Sequence, residues 1–203
     1  MLIEHDGRRP AVAPGVHVAP TAVICGDVTI GAGSSVCFGA IITAESGPVT
    51  IGADCIIMEN AVVRGTYQNP TTIGDNVLVG PHAYLSGCTI GNSVFLATNC
   101  AVFNGAVIGD RSEVRVNGTV IVGSRLEADA VVPIGWVAVG DPAKILAPKD
   151  HDEIRAAQES MNYPKAVFNV DRSGHGESSM PEITKRYAGL LHRHKDDRII
   201  DEQ

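Results

Sequence analysis

The chain has 203 residues, enough for one domain with a sizeable core, and only 4% of them are aromatic against 44% hydrophobic, so aliphatic side chains must fill that core. A formal charge of −7 argues against a nucleic-acid groove or an anionic membrane surface as partner, and no run of about 18 apolar residues is available to span a bilayer. The opening MLIEHDGRRP does not read as a signal peptide, and the five cysteines (Cys25, Cys37, Cys55, Cys88, Cys100) are odd in number without CxxC spacing, so a cytoplasmic protein with reduced thiols is expected.

A six-residue repeat organises most of the chain. Stepping by six from Val12 gives Val18, Ile24, Ile30, Val36 and Ile42. Three extra residues precede Ile51, Ile57 and Val63, and the insertion RGTYQNP precedes Ile73, Val79 and Leu85. After one step of five, the series runs from Ile90 through Leu96, Val102, Ile108, Val114, Val120, Leu126 and Val132 to Ala138. Of these 21 anchors, 20 are Val, Ile or Leu, whereas a helix would show 3.6-residue spacing and an antiparallel strand period two. The residue four places on is usually small (Ala22, Ser34, Ala40, Cys55, Ala61), and glycine often follows the anchor, as at Gly31, Gly52 and Gly74. Short strands that turn sharply and stack coil upon coil explain both patterns. At three repeats per coil, the expectation is an all-β solenoid, a parallel β-helix of about seven coils over residues 1–146.

The coils are expected to end within VPIGWVAVGDPAKIL, with Pro142 as a natural stop because it cannot donate a ladder hydrogen bond. A C-terminal helical tail should occupy 147–203. Its first helix is read over Pro148–Asn162, with an acidic first turn, and a mobile linker over Asp171–Pro181. A second helix over Glu182–His194 places Ile183, Tyr187, Leu190 and Leu191 on one apolar face and runs into the charged RHKDDRIIDEQ.

The strings VCFGAIITAESGPVTIG, CIIMENAVVRG and VLVGPHAYLSGCTIGNSVFLATNCAVFNGAVIG resemble the gamma-class carbonic anhydrases of the hexapeptide-repeat superfamily. That family's pattern reads roughly W-Y-G-A-V-L-R-G-D, then N-I-Q-D-N-x-x-V-H, then I-G-H-x-x-x-x-H-G-C-x-I-G, and the similarity runs from Val36 to Lys144. It implies a left-handed β-helix and a homotrimer. Carried over residue by residue, the family's three zinc histidines fall on Arg64, Pro81 and Ser86. Its structural arginine and partner aspartate fall on Thr43 and Glu45. Its glutamine and aspartate near the metal fall on Met58 and Glu59, with Asn60 retained. A catalytic zinc needs about three His, Cys or carboxylate ligands, so zinc is not expected there and no cofactor is assigned.

Arg64 has two readings, a guanidinium that holds a small anion and one that simply pairs with Glu59 or Glu45. Glu45, Asn60, Ser86 and Tyr163 complete the candidate ligand-binding set. No catalytic residue is assigned; His82 and Glu59 are the candidates, with His82 facing either a subunit boundary or solvent, or else entering a rearranged metal site with Cys88 or Glu59. His17 lies in the first coils and the other five histidines at the termini or in the tail, so no second histidine cluster is expected. Tyr84 and Trp136 are read as covering the coil surface or a subunit interface. The favoured function is a carbonic anhydrase-like trimer without the family's metal site that binds a small anion or serves as a non-catalytic subunit. Whether it is an enzyme stays open. One alternative is an acetyl-CoA-dependent acetyltransferase with His82 as general base, acting on an amine or hydroxyl. The other is a carbonic anhydrase or thioesterase with a rearranged metal site.

Overall fold

A computed structural model describes residues 1–159, 161–171, 173–174 and 176–200. The anchors form one continuous interior column: from Ile24 to Ala138 every one is at most 3% exposed. Each such aliphatic contributes about 1.5–3 kcal/mol on burial, which two- and three-residue strands could not supply through their own hydrogen bonds. Strands pair in parallel, anchor to anchor, as in Ile42↔Val63↔Leu85↔Val102.

Among the described residues the strands make one ten-stranded sheet and two seven-stranded sheets, the three sides of a parallel β-solenoid. The long sheet contains eight parallel rungs, from Leu2–Glu4 to Val137–Val139, rather than about seven. The extra rung is Leu2–Glu4, which lies ahead of the first anchor and pairs with Val23–Cys25. Corners are as tight as the small residues implied. A Cβ on Gly31 would lie 2.6 Å from the backbone of Gly52 in the next coil, and one on Gly52 would lie 2.7 Å from Gly74. At the same corner the buried Ser34 hydroxyl donates to Gly52 O and accepts from Cys55 N, both at 3.0 Å, satisfying two backbone groups of the next coil.

The parallel ladder ends before Pro142, as expected, and the chain reverses there. Beyond it, Lys144–Leu146 returns antiparallel to Val137–Val139, with Ala138 opposite Ile145, so the ladder gains one more strand. Next come α1 (His151–Glu159), α2 (Tyr163–Phe168) and α3 (Met180–Leu191). The first expected helix is shorter than read and is followed by a separate α2, because Asn162 adopts a left-handed conformation (φ 39°) at its start. Helix α3 starts at Met180 with Pro181 in its first turn, where a missing N–H costs nothing. The linker expected over Asp171–Pro181 therefore loses its last two residues to α3, and residues 172 and 175 of it lie outside the described set. The charged tail is ordered as well: a 3-10 turn (His192–Asp196) leads into Arg198–Ile200, which pairs antiparallel with Leu2–Glu4. Residues 201–203 lie outside the described set. Among the described residues, no helix is long and apolar enough to cross a membrane.

Candidate functional site

In the long sheet, strands Ile41–Thr43, Val62–Arg64 and Tyr84–Ser86 lie side by side with Thr43↔Arg64↔Ser86 in register. Their anchors point inward, so the strand alternation turns these three side chains outward. The two insertions that interrupt the repeat follow Thr43 and Arg64, and they stack: Tyr67 N donates to Ser46 Oγ at 3.1 Å. They form a wall at the sheet's edge, and α2 and α3 lie across as a roof. Between them is a cavity of about 600 Å³, with Arg64, Tyr84 and Ser86 at its floor and Tyr163, Phe168 and Tyr187 overhead.

Arg64 is the centre of this space. Its Nη2 donates to Glu45 Oε2 and to the Tyr187 hydroxyl, and its Nη1 donates to the Tyr84 hydroxyl at 3.2 Å. Tyr187 in turn donates to Glu45 Oε2 at 3.4 Å and sets its ring 5.9 Å from the guanidinium carbon. Phe168 packs edge-on against both Tyr163 and Tyr187, with centroids 6.0 Å apart, and fixes the roof. Burial works against the Arg64 charge, but the Glu45 carboxylate and the Tyr187 hydroxyl outweigh it and hold the proton more firmly than usual. Burial raises the Tyr187 hydroxyl despite the opposing pull of Arg64, and it raises Tyr163 with help from Tyr84. Both phenols therefore stay neutral and able to donate.

Arg186 and Arg193 also line the cavity, where Glu45 is the one carboxylate among the described residues. Arg186 donates to Asn169 O at 3.0 Å, while Arg193 pairs with Asp6.

No family model matches the chain. The chain is 32% identical over 163 residues to gamma carbonic anhydrase 1, mitochondrial, of Arabidopsis thaliana, covering 77% of this chain and 57% of the plant protein. It thus spans little more than half the length of the plant relatives it matches. It is 31% identical over 149 residues to the carnitine operon protein CaiE of Escherichia coli K12, covering 73% of each. The chain belongs to the gamma carbonic anhydrase-like family of hexapeptide-repeat proteins. A hexapeptide transferase family protein from Anaplasma phagocytophilum has a similar solved structure, with 29% identity, a TM-score of 0.52, and coverage of 79% of this chain and 91% of that one. A putative acetyltransferase of Bacillus cereus, 20% identical with a TM-score of 0.56, shares the fold.

Within this family frame, the structure brings together Arg64, Glu45, Ser86 and Tyr163 of the expected set. Of the two acids offered to Arg64, Glu45 takes it, because the corner insertion carries Glu45 back over the strand. Asn60 is not at the cavity: it sits exposed in a left-handed turn (φ 57°). Glu59 and His82 stack at the same corner, His82 N donating to Glu59 O at 3.0 Å, with the His82 side chain exposed. Cys88 lies past the other end of strand Tyr84–Ser86 and is wholly buried, its thiol pushed up to about 12 by that burial. Among the described residues, His82, Glu59 and Cys88 form no metal-holding group.

Arg64 and Ser86, two of the three positions to which the family's zinc histidines carry over, are neighbours in register; Pro81 faces a groove on another side of the prism with Met58, Leu78 and Phe95. A guanidinium, a hydroxyl and a pyrrolidine ring include no His, Cys or carboxylate donor, and this set does not fit zinc.

Two features escaped the sequence reading. Tyr187 was visible as a member of an apolar helix face, and its hydroxyl was the signal that the face covers something polar. Tyr84, read as coil surface or interface, joins the Arg64 network. The expectation that no second histidine cluster exists is overturned. The strand Arg198–Ile200 brings the chain's two ends together, and His5 stacks on His194 with ring centroids 4.2 Å apart.

Proposed function

We propose that this chain is a carbonic anhydrase-like hexapeptide-repeat subunit whose Arg64 cavity binds a small carboxylate or similar anion in place of zinc. One observation carries this reading: a fixed guanidinium, shared with Glu45 and two phenol hydroxyls, lines a cavity with two further guanidiniums and, among the described residues, no second carboxylate. An incoming carboxylate takes paired hydrogen bonds from the planar fork of Arg64 while Tyr84 or Tyr187 donates a third. Neither zinc nor metal-hydroxide chemistry belongs to this reading, since nothing at the site would lower the pKa of a water. A homotrimer does belong to it. Ile56, Phe95 and Ile134 lie 42–65% exposed around the Pro81 groove, an apolar surface suited to a second copy. So does a cytoplasmic setting, although the plant relatives are named as mitochondrial.

Isothermal titration of the purified protein with acetate, malonate and bicarbonate tests the reading. Wild type should bind at least one of them, and Arg64→Met should lose that binding. Equal binding by the variant, or hydration of carbon dioxide by the wild type, sinks it.

The 29% identity to a solved hexapeptide transferase favours a second reading, acyl transfer from acetyl-CoA with the exposed His82 imidazole as general base. His82→Ala should then lower coenzyme-A-dependent turnover by about a hundredfold or more. Turnover left unchanged removes this reading.

A further inference from the structure

A second polar centre lies on the same sheet, outside the Arg64 cavity. His5 follows the first strand of the long sheet, Cys25 ends the next one, and His194 and Asp197 come from the segment that closes over them. One donor atom from each of the four lies within 4.8 Å of every other. The Asp197 carboxylate is the hub: His5 Nδ1 stands 2.6 Å from its Oδ1, His194 Nδ1 stands 2.8 Å from its Oδ2, and the Cys25 thiol donates to Oδ2 at 3.7 Å. His5 and Cys25 are buried.

The protons in this centre do not all find places. If His5 gives its Nδ1 proton to Asp197, its Nε2 is left as a bare acceptor, and that atom is buried without a hydrogen-bond partner. Its neighbour is another acceptor, Asp6 Oδ2, at 3.5 Å, held in turn by Arg193. A buried nitrogen facing a carboxylate is the arrangement expected when the proton sits on Nε2 and Nδ1 is committed elsewhere, the carboxylate–histidine–metal pattern.

The geometry points to a transition-metal site of the zinc type, with His5, Cys25, His194 and Asp197 as its four ligands and Asp6 orienting His5. Two imidazoles, one thiolate and one carboxylate match the ligand types and number of a closed tetrahedral site and neutralise a divalent cation. Such a site sets its donors about 3.3–3.8 Å apart, given metal–ligand distances near 2.0–2.3 Å, so the most distant pair draws in by about 1 Å on loading. In the step itself, the metal–sulfur bond replaces the thiol S–H bond of Cys25 and one proton leaves to solvent. The Nδ1 protons of His5 and His194 both move to Nε2, that of His5 toward Asp6, so that both Nδ1 atoms are free to bind the metal. Without metal, burial and the Asp197 charge raise the Cys25 thiol to about 11, so the thiol proton stays on until a cation displaces it. A closed four-ligand site has no open position for substrate. Its effect is to fasten the C-terminal segment, and with it the α3 roof of the Arg64 cavity, to the first rung.

The full chain, purified without chelator and then loaded with cobalt(II) or zinc(II), tests this. One metal per chain, a tetrahedral cobalt spectrum and a thiolate-to-cobalt charge-transfer band are expected. Cys25→Ser should abolish that band, and His194→Gln, on the partly exposed segment where folding is least at risk, should weaken binding by at least about tenfold. Zinc should raise the melting temperature of the wild type and not that of either variant. Arg64→Met should keep full stoichiometry, which separates this site from the anion cavity. Absence of bound metal, a cobalt spectrum without the thiolate band, unchanged loading in His194→Gln, or loss of metal in Arg64→Met would each overturn the assignment.

Discussion

Cys25, Thr43, Arg64 and Ser86 pair in register down one column of the long sheet, yet the two ends of that column carry opposite kinds of side chain. At one end stand two imidazoles, a buried thiol and a carboxylate, the donor types that a divalent metal takes. At the other a permanent cation is matched to one acid and ringed by hydroxyls. The backbone is the same at both ends, and one C-terminal segment covers both. In this solenoid the anchors build the scaffold, and the residue just after an anchor sets the chemical character of the surface.

The most forceful way to break that contrast is to remove the cation. Arg64→Met leaves Glu45, 8% exposed, without its partner and should destabilise the protein by about 3 kcal/mol in urea titrations. Adding Glu45→Gln to that variant should restore much of the loss; a double mutant no better than the single one would mean that the two charges are not coupled. A gentler probe is Tyr187→Phe, which removes one hydroxyl from Arg64 and Glu45. It should cost about 1 kcal/mol and weaken anion binding while leaving metal loading at the other end unchanged. Altered metal loading would show that the two centres act as one. Thiol labelling gives the smallest effect. Burial raises all five thiols, so access sets the order: Cys37, half-buried, should react first in the folded protein, ahead of the buried Cys25, Cys55, Cys88 and Cys100. Early modification of Cys25, read by mass spectrometry, would mean that the C-terminal cover does not close as described.

The coil architecture was legible because each anchor repeats the same local instruction, and a column of Val, Ile and Leu at one spacing has few other ways to be buried. Arg64 and Glu45 were legible through the family resemblance, whose zinc-histidine and partner-aspartate positions carry over onto them. The C-terminal cover was harder. Helix α2 has six residues and the strand Arg198–Ile200 has three, too short to show a period, and the strand's partner lies at the other end of the chain. The same distance hid the cluster of His5, Cys25, His194 and Asp197, which no spacing rule connects. Asn60 misled because its place in the motif was retained while its corner, at the far end of the strand, points away from Arg64.

Parallel rungs carry no inherent stopping point, since each completed coil presents the next with an open ladder of amides and carbonyls. Here Lys144–Leu146 at one end and Arg198–Ile200 at the other run against the direction a further coil would need. Both are three residues long and bear a basic side chain. The long sheet is thereby finished at both edges, and copies of the protein cannot splice through it end to end into a fibre.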